Sequence, residues 1–311
     1  MNFPCPFVPQ CPSPQSPVPN PQFPMTTPAI QWYPGHIGKA EKALKEQLKL
    51  VDVVLEVRDA RIPLATQHPE VPQWVGSKAR VLVLNRMDMI PSQVRQLWEN
   101  WFESQGETPY FTDAQHGKGM QAVTQAAQAA GVEVNRRRRD RGMLPRPVRA
   151  VVIGFPNVGK SALINRLLNK KVVESARRPG VTKQLRWVRI SQEIELLDAP
   201  GVIPGKLNDQ EAAIKLAICE DIGEASYDNQ RVAAELVELL NYLGDVAGNF
   251  LPGSPLQSRY GLDAKECTGE DYLVNLAKAR NQGDVERTAR QLLNDFRKGL
   301  MGAIPLELPP I

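Results

Sequence analysis

Residues Gly154-Phe155-Pro156-Asn157-Val158-Gly159-Lys160-Ser161 spell G-x-x-x-x-G-K-S, and each part of that pattern has a task on a polyphosphate. Gly154 and Gly159 let the backbone N–H groups of the loop, through Asn157, Val158 and on to Ala162, turn inward at phosphate oxygens. Lys160 adds a point charge for the β- and γ-phosphates. The Ser161 hydroxyl can ligate Mg²⁺, and a helix beginning here adds its positive dipole end. Asn85-Arg86-Met87-Asp88 supplies a second chemistry. A carboxylate at Asp88 can accept two parallel hydrogen bonds, from guanine N1–H and the exocyclic amine. Adenine has no amine there and turns an acceptor toward the carboxylate, so such a site rejects it strongly. Asn85 can bond the base edge or tie loops together, and the Arg86 stem can lie over the ring. Asp198-Ala199-Pro200-Gly201 fits a carboxylate holding a Mg²⁺ water shell, with the Gly201 N–H facing a γ-phosphate. Thr182 can close on Mg²⁺ when the γ-phosphate is present.

Positioning these groups requires a particular set of elements. The apolar run Val148–Ile153 before the glycine-rich loop reads as a strand, and Ala162–Leu168 after it has helical spacing. Val51–Val57 and Arg80–Leu84 read as buried parallel strands, the second running directly into Asn85. Gln93–Ser104 is helical, Tyr110–Thr112 is a short strand, Asp113–Gly119 is a loop, and Met120–Ala130 is an alanine-rich helix. Leu185–Ile190 and Ile194–Leu197 suggest a hairpin ending at Asp198. Alternating apolar strands and helices predict an α/β fold with a parallel-rich sheet. From about Lys206 strand signals vanish, and Glu211–Ile222, Arg231–Leu243, Glu270–Arg280 and Val285–Leu300 carry helical periodicity. The expected division is a proline-rich tail at 1–29, an α/β domain at 30–205 and an all-helical domain at 206–311.

Composition narrows the function classes. A chain of 311 residues, 42% of them hydrophobic, is long enough for about two packed domains. The net charge of +4 does not by itself demand a nucleic-acid partner. The basic run Arg136-Arg137-Arg138-Arg139-Asp140-Arg141 is concentrated, however, and reads with Gly142–Pro147 as a surface linker. The four cysteines contain no C-x-x-C pair and the three histidines form no cluster, which argues against a zinc site or a disulfide framework. No apolar run approaches the ~18 residues of a membrane span. The first 29 residues contain no charged side chain and lack the features of a secretory or transit peptide. They read as extended and polyproline-like, and Met25 is an alternative start. The dense cluster Gln31-Trp32-Tyr33-Pro34-Gly35-His36 leads into a basic amphipathic helix at Ile37–Leu50, with Lys39, Lys42, Lys45 and Lys49 along it. Taken alone, His36 reads as a helix cap or packing residue.

The motifs are those of the Ras-like GTPases in a rotated order: Asn85–Asp88 and the base-contact loop Asp113-Ala114 precede the phosphate loop, while Thr182 and Asp198–Gly201 follow it. That order resembles the circularly permuted GTPases. Gln31–His36, Val51–Pro63, Gly154–Ser161, Arg178–Thr182 and Asp295-Phe296-Arg297-Lys298-Gly299 are together similar to the ribosome biogenesis GTPase A family (YlqF/RbgA). The resemblance spans nearly everything after residue 29. It implies a circularly permuted P-loop GTPase domain followed by an all-α domain, binding GTP and GDP with Mg²⁺ in the cytoplasm. It also implies a switch in late maturation of the large ribosomal subunit, touching rRNA but no membrane and no DNA. Under it, Asn85, Arg86, Met87, Asp88, Asp113 and Ala114 hold the base. His36 and Thr182 become catalytic, Ser161, Thr182 and Asp198 (through water) serve Mg²⁺, and Asn157 suggests a potassium ion. Arg86 stands where the family usually has lysine, Asp113 where serine is common, and Ala162 where threonine is usual.

Two alternatives share these residues. One is an RNA- or ribosome-binding placeholder whose nucleotide is mainly structural; the other is an ATP-driven P-loop enzyme, against which Asp88 argues. The permutation itself has a consequence. The chain leaving Asp198–Gly201 passes into the helical domain, so nucleotide state can act on that domain through the covalent connection.

Overall fold

The computed structural model describes residues 37–168, 187–189, 194–198, 209–223, 226–246, 248, 250–251 and 253–310. Six strands form one sheet in the order β3-β2-β1-β4-β6-β5. They are β1 (Val53–Asp59), β2 (Ala79–Asn85), β3 (Pro109–Thr112), β4 (Val148–Ile153), β5 (Trp187–Arg189) and β6 (Ile194–Asp198). Five are parallel, and β5 pairs antiparallel with β6 at the edge. β1 is buried along its whole length, the condition of a central parallel strand covered on both faces. Between the strands lie α1 (Ile37–Leu48), the single turn α2 (Val71–Val75), α3 (Ser92–Ser104), α4 (Met120–Asp140) and α5 (Lys160–Leu167).

Register brings the chemistry to one edge. Asp59 ends β1 opposite Asn85 at the end of β2, Asn85 lies opposite Thr112, and Asp198 ends β6 beside Val152. Connections leaving β1 run toward β2 and β3, whereas those leaving β4 run toward β5 and β6. The sheet therefore reverses direction between β1 and β4, where open α/β sheets bind ligands beyond the carboxyl ends of their strands.

The basic run corrects the expected linker. Arg136 to Asp140 are the C-terminal end of α4, which stops at Gly142 with φ 71°. Gly142 N–H donates to Arg139 O at 2.8 Å and Met143 N–H to Arg138 O at 2.9 Å, the paired bonds that close a helix on a left-handed glycine. Arginine is a good helix former and favours the negative end of the helix dipole, so the run extends the helix to its first glycine stop. Only 142–147 connect to β4. The short helices α2 and Pro255–Tyr260 carry too few turns to show a periodicity and were not anticipated.

After β6 the described residues contain helices only: α6 (Gln210–Ile218), α7 (Asn229–Val246), α8 (Pro255–Tyr260), α9 (Gly269–Arg280) and α10 (Val285–Arg297). All five begin on a side-chain cap, with Asp209, Asp228, Ser254, Thr268 and Asp284 accepting from the backbone N–H three residues on. α7 packs against both α9 and α10. One cluster of buried apolar side chains runs from Leu55, Val83 and Val152 in the sheet through Leu216 to Leu236, Leu276 and Leu292 in the helices. The last residues are tied to the loop after β1: Leu306 and Glu307 N–H donate to Arg61 O at 3.0 and 3.1 Å, and the Glu307 carboxylate accepts from Leu64 N–H at 2.8 Å.

Candidate nucleotide site

The loop between β4 and α5 is shaped as a cradle. Gly154 has φ 148° and Gly159 φ 99°. A Cβ at Gly154 would lie 2.2 Å from Val57 O, and one at Gly159 2.1 Å from the Asn85 amide nitrogen. Neither position accepts a side chain, because the Val57 backbone packs against Gly154 and the Asn85 amide against Gly159. Val158 is buried, and its N–H donates to Pro156 O at 2.8 Å. Lys160 is buried, with Nζ donating to Phe155 O at 2.7 Å, which curls the ammonium back over the loop. Ser161 and Ala162 lie half-buried in the first turn of α5, where backbone N–H groups lack intrahelical partners.

Asn85 is the knot of the base-motif side. Its amide nitrogen donates to Val158 O at 2.9 Å, and its amide oxygen accepts from Ala114 N–H at 3.0 Å and Thr112 Oγ1–H at 3.1 Å. Of the two roles open to it in the sequence, the geometry is that of a tie between loops. Arg86 has φ 65° and turns its guanidinium away from solvent: Nη2 donates to Asn157 O at 2.6 Å and Nη1 lies 3.2 Å from Asp59 Oδ2. Its head group thus braces the phosphate loop. Met87 is half-buried and Asp88 exposed in the single 3₁₀ turn that follows, the Asp88 carboxylate without a partner among the described residues. In the neighbouring loop the buried Asp113 carboxylate accepts from its own loop, from His116 N–H at 3.0 Å and His116 Nδ1 at 2.7 Å. Arg166 of α5 donates to Gln115 O and holds that loop against the phosphate-loop helix.

Beneath these loops lies a charged cluster that sequence reasoning missed. Asp59 is fully buried and paired through both oxygens with the buried Arg61, at 3.0 and 2.7 Å. Burial alone would raise the Asp59 carboxyl; Arg61 and Arg86 hold it below its ordinary value. Arg61 reaches Cys219 O at 3.5 Å, and Asn157 Nδ2–H donates to Glu220 O at 2.6 Å. Asp221, also fully buried, has no hydrogen-bond partner on either carboxylate oxygen among the described residues. Burial and the neighbouring Asp59 push it up to about 8. Burial likewise pushes up the Cys219 thiol, which makes it inert. The one signal in the sequence was the charge pattern Arg58-Asp59-Ala60-Arg61 directly after an apolar run.

His36, Thr182 and Gly201 lie outside the described residues; Asp198 is described as the last residue of β6, beside the β4 strand that enters the phosphate loop. The structure therefore joins Asn85, Arg86, Ala114, Asn157 and Val158 in one hydrogen-bonded unit.

The family model described as "50S ribosome-binding GTPase" matches residues 149–248. Its match starts on β4, so Asn85–Asp88 precedes it, as a permuted order requires. Proteins named ribosome biogenesis GTPase A are similar over nearly their whole length. The protein from Priestia megaterium is 39% identical, covering 90% of this chain and 97% of its own. That from Bacillus cereus is 34% identical, covering 90% and 94%. Among solved structures, YlqF from T. maritima in a GNP-bound form aligns with TM-score 0.61 at 22% identity, over 88% of this chain and all of the other. A GDP-bound form of YlqF aligns with the same score over 86% of this chain. The fold is that of a circularly permuted GTPase domain continued by helices.

Proposed function

The chain belongs to the ribosome biogenesis GTPase A family, and from this premise we propose that it is a nucleotide switch in late maturation of the large ribosomal subunit. It is a GTP-binding ribosome biogenesis factor and hydrolyses GTP. The observation that carries the switch reading is the Asn85 amide bonded to Val158 O. It fastens the base motif to a phosphate loop lying 73 residues further along the chain, as one guanine-nucleotide site requires.

In this reading Asp88 pairs with guanine, with Met87, Asp113 and Ala114 around the base. Asn157, Val158, Gly159, Lys160 and Ala162 line the phosphates, and Gly201 meets the γ-phosphate. The oxygen groups of Ser161, Thr182 and, through water, Asp198 suit Mg²⁺, a hard cation that prefers oxygen and keeps waters. Held by these groups, such an ion would supply positive charge to the phosphates during transfer. The division into a tail, a permuted domain ending near 205 and a helical domain is retained as part of the proposal.

The partner is a large-subunit precursor, with rRNA phosphates meeting the end of α4. There five arginines stand against Glu133 and Asp140. Glu133 pairs with Arg136 and Arg137, while Arg139 and Arg141 have no side-chain partner among the described residues. No helix among the described residues is long and apolar enough to cross a membrane. A cytoplasmic location follows from the proposed partner.

Turnover measured with and without large-subunit particles, at several salt concentrations, tests this function. Stimulated hydrolysis of GTP but not ATP is expected, with subunit binding that weakens steeply with salt. Replacing Arg136–Arg139 with serine should reduce that salt slope. Turnover indifferent to subunits would leave only a placeholder with a structural nucleotide.

A further inference from the structure

Asn157 and Glu220 are two of the four described non-glycine residues with positive φ, at 58° and 65°, and one hydrogen bond joins them. Asn157 is at ease there, because asparagine enters the left-handed region readily. Glu220 is not. It occupies the position after α6 that normally takes glycine: its N–H donates to Ala217 O at 3.1 Å, and Asp221 N–H donates to Leu216 O at 2.8 Å. Residues held in such conformations cluster at ligand clamps and switch regions, and this one presents its carbonyl to the phosphate loop.

We propose that Asn157 is a positioning residue that couples the phosphate loop to the helical part of the chain through the turn at Cys219–Asp221. The proposal rests on the nucleotide-switch reading above and adds a non-covalent connection to the covalent one. The coupling follows from how Asn157 is held. Its carbonyl accepts from Arg86 of the base motif, and its side-chain nitrogen donates to Glu220 O, both at 2.6 Å. A phosphate that fixes the loop therefore fixes the carbonyl of a helix terminus 63 residues away. Arg297 of α10 donates to Ala217 O and Ile218 O at 2.9 Å, so the end of α6 leading into the same turn is also held by the last long helix. The Asp221 carboxylate, without a hydrogen-bond partner among the described residues, lies in the field of Asp59, Arg61, Arg86 and Lys160. When Lys160 engages phosphate, that field changes as well.

Asn157→Asp separates the coupling from any ion bound at Asn157. It keeps an oxygen at the side-chain tip and a backbone that tolerates positive φ, but it puts a carboxylate against Glu220 O where a donor had been. The measurement is hydrogen exchange of residues 214–223 in the full chain, with and without Mg²⁺ and a saturating non-hydrolysable GTP analogue. Saturation is checked separately with a fluorescent nucleotide. In the wild type, nucleotide should slow exchange there by roughly fivefold or more, the lower end of ordinary coupling between sites. In Asn157→Asp, at saturation, the slowing should fall below about twofold. Asn157→Gly, which keeps the loop conformation and removes the side chain, should behave alike and serves if the aspartate variant is unstable. Equal slowing in wild type and variants, or none in a saturated wild type, would overturn the coupling. So would loss of nucleotide binding in both variants, which would confine Asn157 to the ligand site. A wild type that fails to bind the analogue at all fails at the nucleotide reading instead, a result visible in the fluorescence arm alone.

Discussion

The side-chain amide of Asn85 donates to Val158 O at 2.9 Å while its oxygen accepts from Ala114 N–H and Thr112 Oγ1–H. One buried side chain thus holds the phosphate loop, the base-contact loop and β3 together. Each such bond contributes about 1 kcal/mol, and orphaning its buried partners costs more. Asn85→Ala should lower stability by about 2–4 kcal/mol in urea unfolding and weaken GTP binding at least tenfold. A variant with wild-type affinity would show that the loops hold their geometry without the tie. Gly159→Ala should weaken binding by the same route, because its Cβ would fall 2.1 Å from the Asn85 nitrogen.

Base choice should rest on Asp88. Its carboxylate is exposed and has no partner among the described residues, whereas Asn85 and Arg86 are engaged with the phosphate loop. Asp88→Asn should lose GTP affinity and turn preference toward xanthosine triphosphate, whose added carbonyl matches an amide donor. Nucleotide competition reads the outcome, and unchanged GTP affinity would refute the assignment. Because the Arg86 head group braces Asn157 O, Arg86→Ala should raise nucleotide off-rates without altering that preference.

The strands and the phosphate loop were legible because central parallel strands are continuous apolar runs and the glycine pattern has a fixed spacing. The chemistry at the strand ends was legible for the same reason: Asn85 and Asp198 follow directly on such runs. The end of α4 was obscured because a charge run looks like a linker when helix-forming tendency and the Gly142 stop are not weighed together. The Asp59–Arg61 pair could be seen only as charges after a strand. The meeting of Asn157 with Glu220 leaves no local trace, since the two are far apart in sequence and come together only through the docking of α6.

The Asp221 carboxyl gives stability a pH dependence. It is buried with Asp59, Arg61, Arg86, Lys160 and Cys219 as its charged or titratable neighbours. Its value moves from the ordinary 3.8 up to about 8 on folding. Between those values the folded chain holds a proton that the unfolded chain has released. This contribution is fully present below the lower value, is lost as pH rises toward 8, and is flat above it. Asp221→Asn should remove that slope, leaving the variant ahead of the wild type at pH ~8.5 by an amount on the order of a few kcal/mol. The gap should narrow in acid. Urea unfolding of both proteins across this range checks it, and parallel profiles would contradict it.

Hydrolysis should be slow in isolation and faster on the ribosome, for a reason that begins at Val202. Ras-like GTPases carry a glutamine after the Asp-x-x-Gly glycine to orient the attacking water, and Val202 has no polar atom for that task. Two replacements follow from the family resemblance. His36 can position water near neutral pH, where imidazole both accepts and donates a proton. A potassium ion beside the phosphates can supply the positive charge the transition state needs. Asn157 Nδ2 donates to Glu220 O, so it is the Oδ1 of the same amide that would face such an ion. His36→Ala should bind GTP and subunits normally yet lose most of the stimulated turnover. The wild type should run several-fold faster in potassium than in sodium. Full stimulated turnover in His36→Ala would eliminate the histidine, and equal rates in the two salts would eliminate the ion. If both losses appear and multiply in the variant assayed in sodium, the two act independently on one step. If the salt effect vanishes in His36→Ala, the ion acts through the histidine's placement of water.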